Sequence, residues 1–421
     1  MKKLIKSLLP SSLVKPILRP YHFSRALLAN LIYGFPARGL KVIGITGTNG
    51  KTTSANYLAS ILGAAGYKVG VSTTANFRIG EEAWDNELNM TTTNPFALQK
   101  LLRRMREAQV DWVVLEVTSH ALSQYRTWGV PIHTAVLTNL SPDHLDYHGT
   151  VEEYAATKAK LLCQARVATV LNRDDEWYDY FRKSAFHAAY TYGTAKEADV
   201  RLEKAKLHSD TSHIKIRYGE RMMELDLQLP GKFNVYNALA AATVAFGLEI
   251  DWEDVQAGLK LLSGVPGRME AIHTGQDFTV IVDYAHTPDA FENVLGNLRP
   301  VTKGRIITVF GGAPTHDYRG LGEAAGRLSD VVIVTDDEPM DSDPRVIREE
   351  IVEAARTAAT AQVEEIADRR DGIARAFALA GADDTVALLC LGHQKYRRIG
   401  NAQRIEWDDR AVARELLETM A

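Results

Sequence analysis

The residues best suited to chemistry lie between Val42 and Ser60. An apolar run there ends in Gly47-Thr-Asn-Gly50, and Lys51-Thr-Thr53 then opens a segment with helical spacing. A glycine turn between a strand and a helix lets backbone N–H groups converge on an anion, while the lysine adds charge and a threonine hydroxyl can hold Mg²⁺. Ile45 stands where the first glycine of the usual phosphate loop belongs. The alternative is an ordinary turn that carries a lysine. We favour the phosphate loop because the local context also fits.

Two polar stretches follow other predicted strands. Glu116 lies near the end of the apolar run Trp112–Val117, and carboxyl ends of parallel strands face the ligand crevice. A carboxylate there can hold the Mg²⁺ that bridges nucleotide phosphates, although a lone one is more often only solvated. The stretch Asn139–His148 includes His144 and Asp146 and suits metal binding or charge neutralisation. Its spacing is not that of a structural zinc site, and the alternative is a polar loop with Asx turns.

Weaker candidates lie further along the chain. Lys158 falls in a predicted helix, where a lysine is nearly always solvated, so spacing alone gives it no role. Asp283-Tyr-Ala-His286-Thr-Pro288 and Gly392-His-Gln394 each follow a buried strand, at the side of the sheet that faces the crevice. Arg268 ends a segment rich in glycine and proline that begins at Leu262 and is typical of a hinge. Lone histidines are usually structural, so each of these signals is weak.

An α/β fold is needed to position these residues. From residue 40 to about 264, apolar runs alternate with helical stretches, which predicts a largely parallel sheet covered on both faces. The predicted strands are Lys41–Thr46, Lys68–Ser72, Trp112–Val117, His133–Leu137 and Ala168–Asn172. The predicted helices are Thr53–Ala65, Pro95–Ala108, Val151–Leu162 and Tyr236–Phe246. Residues 199–229 resemble β-hairpin material inserted into this scheme.

The alternation restarts after the hinge, and this predicts a second α/β domain. Its predicted strands are Thr279–Val282, Ile306–Phe310, Val331–Thr335 and Val386–Cys390. We therefore expect a central P-loop-type, mostly parallel sheet domain over residues 40–264 and a Rossmann-like α/β domain over residues 265–421. A short basic segment, residues 1–39, precedes them.

Composition narrows the class of protein. With 421 residues, 46% hydrophobic and 24% charged, the chain is an ordinary globular protein of two or three domains. A net charge of −4 argues against a general nucleic-acid binder. Cys163 and Cys390 are far apart in sequence, so we expect no disulfide framework and no cysteine-based metal site, which fits a reducing cytoplasm.

The first 41 residues carry eight lysines and arginines and no acidic residue. Pro10, Pro16 and Pro20 interrupt the apolar residues, so we expect no bilayer-spanning segment, and no signal peptide is apparent. Ala26–Tyr33 is predicted as a short helix lying on the protein or on an anionic membrane. We favour packing on the protein.

Seven motifs occur in the order seen in the Mur ligase family, which this chain resembles over about residues 40–421. They are Thr46-Gly-Thr-Asn-Gly-Lys-Thr-Thr53, Leu115-Glu-Val-Thr-Ser-His-Ala-Leu122, Asn139 to Gly149, Tyr154-Ala-Ala-Thr-Lys158, Asn234-Val-Tyr-Asn237, Gly267-Arg-Met-Glu270 and Asp283-Tyr-Ala-His286. The likeness is greatest to the members that add a diamino acid to UDP-N-acetylmuramoyl-L-alanyl-D-glutamate. The resemblance implies a cytoplasmic, monomeric ATP- and Mg²⁺-dependent ligase of peptidoglycan synthesis, which acts on small molecules through an acyl phosphate.

The resemblance also implies roles for individual residues. ATP contacts would come from Gly47, Thr48, Asn49, Gly50, Lys51, Thr52, Thr53, Asn234, Asn237, Arg268 and Arg319. Metal ligands would be Thr52, Glu116, His144 and a carbamylated Lys158, and the catalytic residues Lys51, Lys158 and His144. Substrate contacts would come from Thr91, Thr92, Thr118, Gln124, Arg126, Asp337 and His393.

The chain departs from the family pattern in several places. Only a basic segment of about forty residues precedes the phosphate loop, where the family has a uridine-nucleotide domain. The substrate could therefore be linked to UDP or to another carrier. The amino-acid-selecting motif Asp-Asn-Pro-Arg is Asp337-Glu-Pro-Met340 here, so lysine or another amino acid is possible. The glycine-rich stretch Gly311–Arg319 matches the family pattern only loosely, and Arg319 would keep part of its phosphate role. Gln394 stands where glutamate is usual.

Two alternatives to the muramoyl ligase remain open. One is a related amide ligase such as folylpolyglutamate or poly-glutamate synthase. The other is an ATP-binding homologue that has lost catalysis. Retention of Glu116, His144 and Lys158 weighs against the second.

Overall fold

The structure is a computed structural model that describes residues 11–86, 90–208, 211–314, 316–358, 361–400 and 403–420, with the side chains of residues 11–17 and 146 outside that description. The helices are α1 Ser11–Tyr33, α2 Lys51–Ala64, α3 Pro95–Glu107, α4 Ser119–Ser123, α5 Leu145–His148, α6 Val151–Gln164, α7 Tyr178–Arg182, α8 Lys232–Gly247, α9 Trp252–Leu261, α10 Pro288–Leu298, α11 Tyr318–Leu328, α12 Pro344–Ala358, α13 Arg369–Leu379 and α14 Asp409–Met420. Strands β1 to β8 are Lys41–Thr46, Val69–Ser72, Asn76–Ile79, Glu82–Asp85, Trp112–Glu116, Ile132–Leu137, Ala168–Asn172 and Ala188–Gly193. Strands β9 to β19 are Val200–Leu207, Ser212–Tyr218, Arg221–Leu227, Glu270–Ile272, Thr279–Val282, Ile306–Phe310, Val331–Val334, Gln362–Glu365, Thr385–Leu388, Tyr396–Ile399 and Gln403–Glu406.

The first sheet contains the strands that the sequence predicted between residues 40 and 264. Over the described residues its strand order is β11-β10-β9-β8-β7-β6-β1-β5-β2-β3-β4. Strands β2, β5, β1, β6, β7 and β8 pair in parallel, while β3 and β4 form an antiparallel extension. The central strands are buried along almost their whole length because helices cover both faces of a parallel sheet.

The second sheet has the order β12-β13-β17-β14-β15-β16, with β12 antiparallel and the others parallel. One apolar cluster, which includes Phe291, Leu321 and Ile351, joins it to helices α10 to α12. Another, which includes Phe377 and Leu417, joins it to α13 and α14. The nine predicted strands all occur, with ends within two residues of those predicted, and the predicted fold class is confirmed.

The chain forms two compact units. The first comprises residues 1–203, 215–223 and 236–261, and the second comprises residues 204–214, 224–235 and 262–421. The inserted β-strands and helix α8 contribute residues to both units. The segment that the sequence predicted as a hinge begins where the last stretch of the first unit ends.

The N-terminal helix is longer than predicted. Helix α1 runs from Ser11 to Tyr33, with Pro16 and Pro20 inside it, although we expected these prolines to break the segment. Each proline removes one backbone donor, and burial of Leu18 and the residues that follow on the same face offsets that loss. No helix in the described residues is long and apolar enough to span a bilayer.

Candidate active site

The loop between β1 and α2 is shaped by two glycines with positive φ. Gly47 has φ 151° and Gly50 has φ 82°. A Cβ on Gly47 would lie 1.8 Å from Thr138 Oγ1, and one on Gly50 would lie 2.1 Å from Asn237 Oδ1. Neither position has room for a side chain. The positive φ values of the two glycines let the backbone turn tightly into the N-terminus of α2, where N–H groups can bind an anion.

Two lysines converge on this loop. Lys51 Nζ donates to the carbonyl oxygens of Gly47 at 3.0 Å and Thr48 at 2.6 Å, and Lys158 Nζ donates to the Gly47 oxygen at 2.6 Å. Lys158 is only 1% exposed, so the expectation of a solvated lysine was wrong. Burial and the Lys51 ammonium lower the pKa of Lys158 well below its usual value, against the opposing Asp143 carboxylate. The site therefore disfavours the charged form of Lys158.

Glu116 is the centre of a buried oxygen cluster. Its carboxylate accepts from Thr52 Oγ1 at 2.9 Å, from the Thr74 backbone N–H at 2.8 Å and from Thr74 Oγ1 at 3.0 Å. Thr74 Oγ1 and Thr91 Oγ1 are also within hydrogen-bond distance of each other, at 3.0 Å. Carboxylate and hydroxyl oxygens are ligands that Mg²⁺ prefers, so these residues fit that ion. Thr74 was not singled out from the sequence, although it follows β2, whose carboxyl end lies beside that of β5.

Four of the predicted substrate residues form one network beside Glu116. Thr92 Oγ1 donates to the Glu116 backbone oxygen at 3.0 Å and accepts from the Thr118 N–H at 3.0 Å. Arg126 donates to the Thr92 carbonyl at 2.7 Å and to Gln124 Oε1 at 2.9 Å. Burial lowers the pKa of Arg126. The network holds a half-buried guanidinium in a fixed position, as recognition of an anionic substrate requires.

The histidine-rich stretch packs aromatic rings beside the buried lysine. His144 has φ 54°, and its ring centroid lies 4.8 Å from that of His120 and 6.3 Å from that of Tyr154. Lys158 Nζ lies 4.3 Å from the Tyr154 ring centroid. Tyr154 is thus a neighbour of both His144 and Lys158. The side chain of Asp146 lies outside the described residues.

In the second unit, Arg268 and His393 both lie close to the Tyr284 ring. The Arg268 guanidinium is 5.2 Å from the Tyr284 ring centroid, and the His393 ring is 5.0 Å from it. A Cβ on Gly267 would lie 2.1 Å from the His393 backbone nitrogen, so the two segments approach closely. Tyr284 was not singled out from the sequence, although it lies between Asp283 and His286, which were.

Asp337 is buried at the carboxyl end of β15. It is 2% exposed, and within the described part of the chain its Oδ1 has no hydrogen-bond partner. Burial raises the pKa of Asp337 to about 7, although the nearby Arg369 guanidinium opposes this. A cavity of about 500 Å³ adjoins this loop and is lined by Asp336, Pro339, Met340, Asp341, Ser342, Pro344, Arg397, Ile399 and Gly400.

The remaining predicted nucleotide residues are divided between the units. Asn237 lies in the first unit, where its Oδ1 accepts from Ser54 Oγ at 3.3 Å. Asn234 lies in the second unit and donates to the Pro230 carbonyl at 2.8 Å. Arg319 is exposed in the first turn of α11. These roles stay predictions.

Comparison with protein families gives two matches. A family described as the Mur ligase middle domain matches residues 45–245. A family described as the Mur ligase glutamate ligase domain matches residues 267–391.

Individual relatives cover most of the chain. It is 37% identical, over 93% of its length and 81% of the relative, to the UDP-N-acetylmuramoyl-L-alanyl-D-glutamate--2,6-diaminopimelate ligase of Syntrophomonas wolfei. It is 40% identical to the UDP-N-acetylmuramyl-tripeptide synthetase of a Roseiflexus species, with coverage of 93% of the chain and 81% of the relative.

Two solved structures are similar in fold. A UDP-N-acetylmuramoyl-L-alanyl-D-glutamate--2,6-diaminopimelate ligase superposes with a TM-score of 0.65 at 31% identity, covering 90% of this chain and 79% of that one. The folylpolyglutamate synthase of Mycobacterium tuberculosis complexed with ADP superposes with a TM-score of 0.73 at 19% identity, covering 87% and 91%. At that identity the second likeness is one of fold alone.

Proposed function

Because the chain belongs to the Mur ligase family of ATP-dependent amide ligases, we propose that it adds a diamino acid to a UDP-N-acetylmuramoyl-L-alanyl-D-glutamate type precursor of peptidoglycan. The observation that carries this proposal is the 37% identity, over 93% of the chain, to a relative named for that reaction with 2,6-diaminopimelate. We propose that the protein acts in the cytoplasm as a monomer, with its basic residues 1–40 able to contact a membrane surface peripherally.

The proposed reaction has two steps. An oxygen of the precursor carboxylate attacks the γ-phosphorus of ATP, so that an acyl phosphate forms and ADP leaves. The amine of the incoming amino acid then attacks the acyl carbon, and the tetrahedral intermediate expels phosphate to give the amide. Lys51 lies over the phosphate loop, and its positive charge stabilises the negative charge that develops on the transferred phosphoryl group. Positioning of the two substrates supplies much of the remaining acceleration.

ATP and Mg²⁺ are the cofactors expected of this family. We assign the triphosphate to the loop Gly47–Thr53, with part of the phosphate contact from Arg319. We assign the adenine or ribose to Asn234, Asn237 and Arg268. Thr52 and Glu116 offer the oxygen ligands that suit Mg²⁺, and His144 completes the proposed set with Lys158. When bound, the ion neutralises phosphate charge.

We propose that Lys158 is carbamylated, which converts it into an anionic ligand. Its burial supports this, because CO₂ reacts with a neutral amine and a dry site protects the carbamate. The alternative is an unmodified amine that only holds the Gly47 carbonyl. Carbon-13 NMR with labelled bicarbonate should give a carbamate signal in the full-length protein and none in Lys158→Ala. The exposed Lys160→Ala variant is the matched control. A spectrum that is the same for all three would contradict carbamylation.

For the peptide substrate we propose the network of Thr92, Thr118, Gln124 and Arg126 together with Thr91. For the incoming amino acid we propose Asp337 and His393 in the second unit. Fixed hydrogen bonds at Arg126 support the first assignment, because a preorganised guanidinium binds a carboxylate at low entropic cost.

Mass spectrometry of products tests the function directly. The protein would be incubated with ATP, Mg²⁺, UDP-muramoyl-dipeptide and a pool of amino acids that includes 2,6-diaminopimelate and lysine. We expect one tripeptide product and equimolar ADP. Lys51→Ala should reduce the rate by about 10²–10³-fold or more, since one charge-stabilising donor is lost, whereas the exposed Lys100→Ala should not. No product with any amino acid, or an unaffected Lys51→Ala rate, would refute the proposal.

The alternative of a folylpolyglutamate or poly-glutamate ligase is not favoured by the comparisons. The folylpolyglutamate synthase likeness, at 19% identity, is one of fold, whereas the muramoyl ligases reach 37–40% identity. A folate or glutamyl substrate included in the same assay distinguishes the two.

A further inference from the structure

Helix α1 carries an exposed apolar patch that nothing in the catalytic proposal uses. Leu28, Leu31 and Ile32, which we call the α1 patch, are 50, 59 and 57% exposed. Their spacing of three and four residues places them together on one face of the helix. Ala26 and Ala29 are fully buried on the other side, where the helix packs against its own unit. The patch therefore faces away from the folded unit.

The α1 patch lies in the most basic part of the chain. Residues 1–41 contain eight lysines and arginines and no acidic side chain, whereas the whole chain has a net charge of −4. Arg19, Arg38 and Lys41 are exposed among the residues described here. Exposed apolar side chains in a segment that carries cations and no acidic residue are typical of a surface that meets anionic lipid headgroups.

We propose that the α1 patch docks peripherally on an anionic phospholipid surface. The leucine and isoleucine side chains would enter the boundary between headgroups and acyl chains, while the basic residues pair with lipid phosphates. No described helix can span a bilayer, so the contact lies at the interface. A second copy of the chain fits less well, because three side chains on a convex helix form too small a contact for a stable dimer, and two identical basic segments would repel each other.

This proposal is independent of the proposed reaction, because the α1 patch contains none of the residues assigned to ATP, metal or substrate. Loss of membrane binding would leave product formation in solution unchanged. Failure of either proposal can therefore be recognised without the other.

Vesicle flotation of the full-length chain tests the proposal. We expect binding to vesicles of phosphatidylcholine mixed with phosphatidylglycerol, little binding to phosphatidylcholine alone, and release at high salt. Leu31→Ser combined with Ile32→Ser should weaken partition by at least about tenfold, since two aliphatic side chains leave the interface. Leu261→Ser, at a leucine that is 71% exposed on α9, is the matched control and should bind like the unchanged protein.

Several outcomes would overturn the proposal. These are absence of binding by the unchanged chain, equal binding of both variants, and equal binding to neutral and anionic vesicles. A dimer in solution that the double variant converts to a monomer would instead assign the α1 patch to self-association. The thermal midpoint and product formation of each variant, measured in the absence of lipid, check that the fold is intact.

Discussion

At the scale of single residues, the sequence pattern indicates which polar side chains are candidates for the site, but it does not indicate which of them are buried. Lys158 and Glu116 are each 1% exposed. The spacing of α6 cannot show that Lys158 lies on the face turned toward the phosphate loop, because that depends on what packs against the helix. Burial then changes the chemistry, since it disfavours the charged amine.

The buried Asp337 predicts a dependence of stability on pH. Burial raises the pKa of the Asp337 carboxyl from its ordinary value near 4 to about 7 in the folded protein. The folded protein therefore binds more protons between these values, and the free energy of unfolding falls as pH rises from about 4 to about 7. Asp337→Asn should remove a few kcal/mol of this dependence. Urea unfolding of both proteins across this pH range measures it, and parallel curves would contradict it.

The ion pair between Arg369 and Asp409 gives a prediction about stability. Both side chains are 0% exposed, with Nη2 and Oδ2 2.6 Å apart. Arg369→Met leaves a buried carboxylate unpaired, so the free energy of unfolding should fall by about 3–5 kcal/mol. The neighbouring Arg370 pairs with Glu415 at 2.7 Å at the surface, and Arg370→Met should cost at most about 1 kcal/mol. Similar losses in the two variants would disagree with this interpretation.

At the scale of elements, the candidate site depends on adjacent parallel strands that end at one edge of the first sheet. The phosphate loop follows β1, Glu116 ends β5, and Thr74 follows β2. These strands are neighbours in the order β1-β5-β2, which explains why residues distant in sequence share hydrogen bonds. The sequence predicted where these strands end, but it did not predict their order in the sheet.

The turn into α2 gives a prediction at this scale. In Gly50→Ala the new Cβ would lie 2.1 Å from Asn237 Oδ1, so the loop must shift and ADP affinity should fall by about tenfold or more. Gly66→Ala is a matched control, because Gly66 has nearly the same φ, 83°, but open space around it. Both variants incur the backbone cost of about 1–2 kcal/mol, and only the first should lose nucleotide binding. Titration calorimetry with ADP compares them, and equal affinities would count against the role of the glycine.

At the scale of the whole molecule, we propose that residues 265–421 form a domain of their own. The sheet from β12 to β17 lies entirely within this range, and its two apolar clusters lie in it apart from a contact with Phe233. A fragment of residues 265–421 should therefore unfold cooperatively in urea, followed by circular dichroism. A broad, non-cooperative transition would argue that the segment around Phe233 is required.

The sequence by itself determined the α/β class and the strands, and it singled out the glycine turn Gly47–Gly50 and most of the candidate residues. Periodicity and composition are local properties, so a short window of sequence is enough to recognise them. Only the tertiary structure decided the features that depend on contacts between residues far apart in sequence. It extended α1 through Pro16 and Pro20, brought Thr74 to Glu116, and buried Lys158. In each case the deciding energy comes from packing against residues far away in sequence, which replaces water and supplies contacts that no short window of sequence contains.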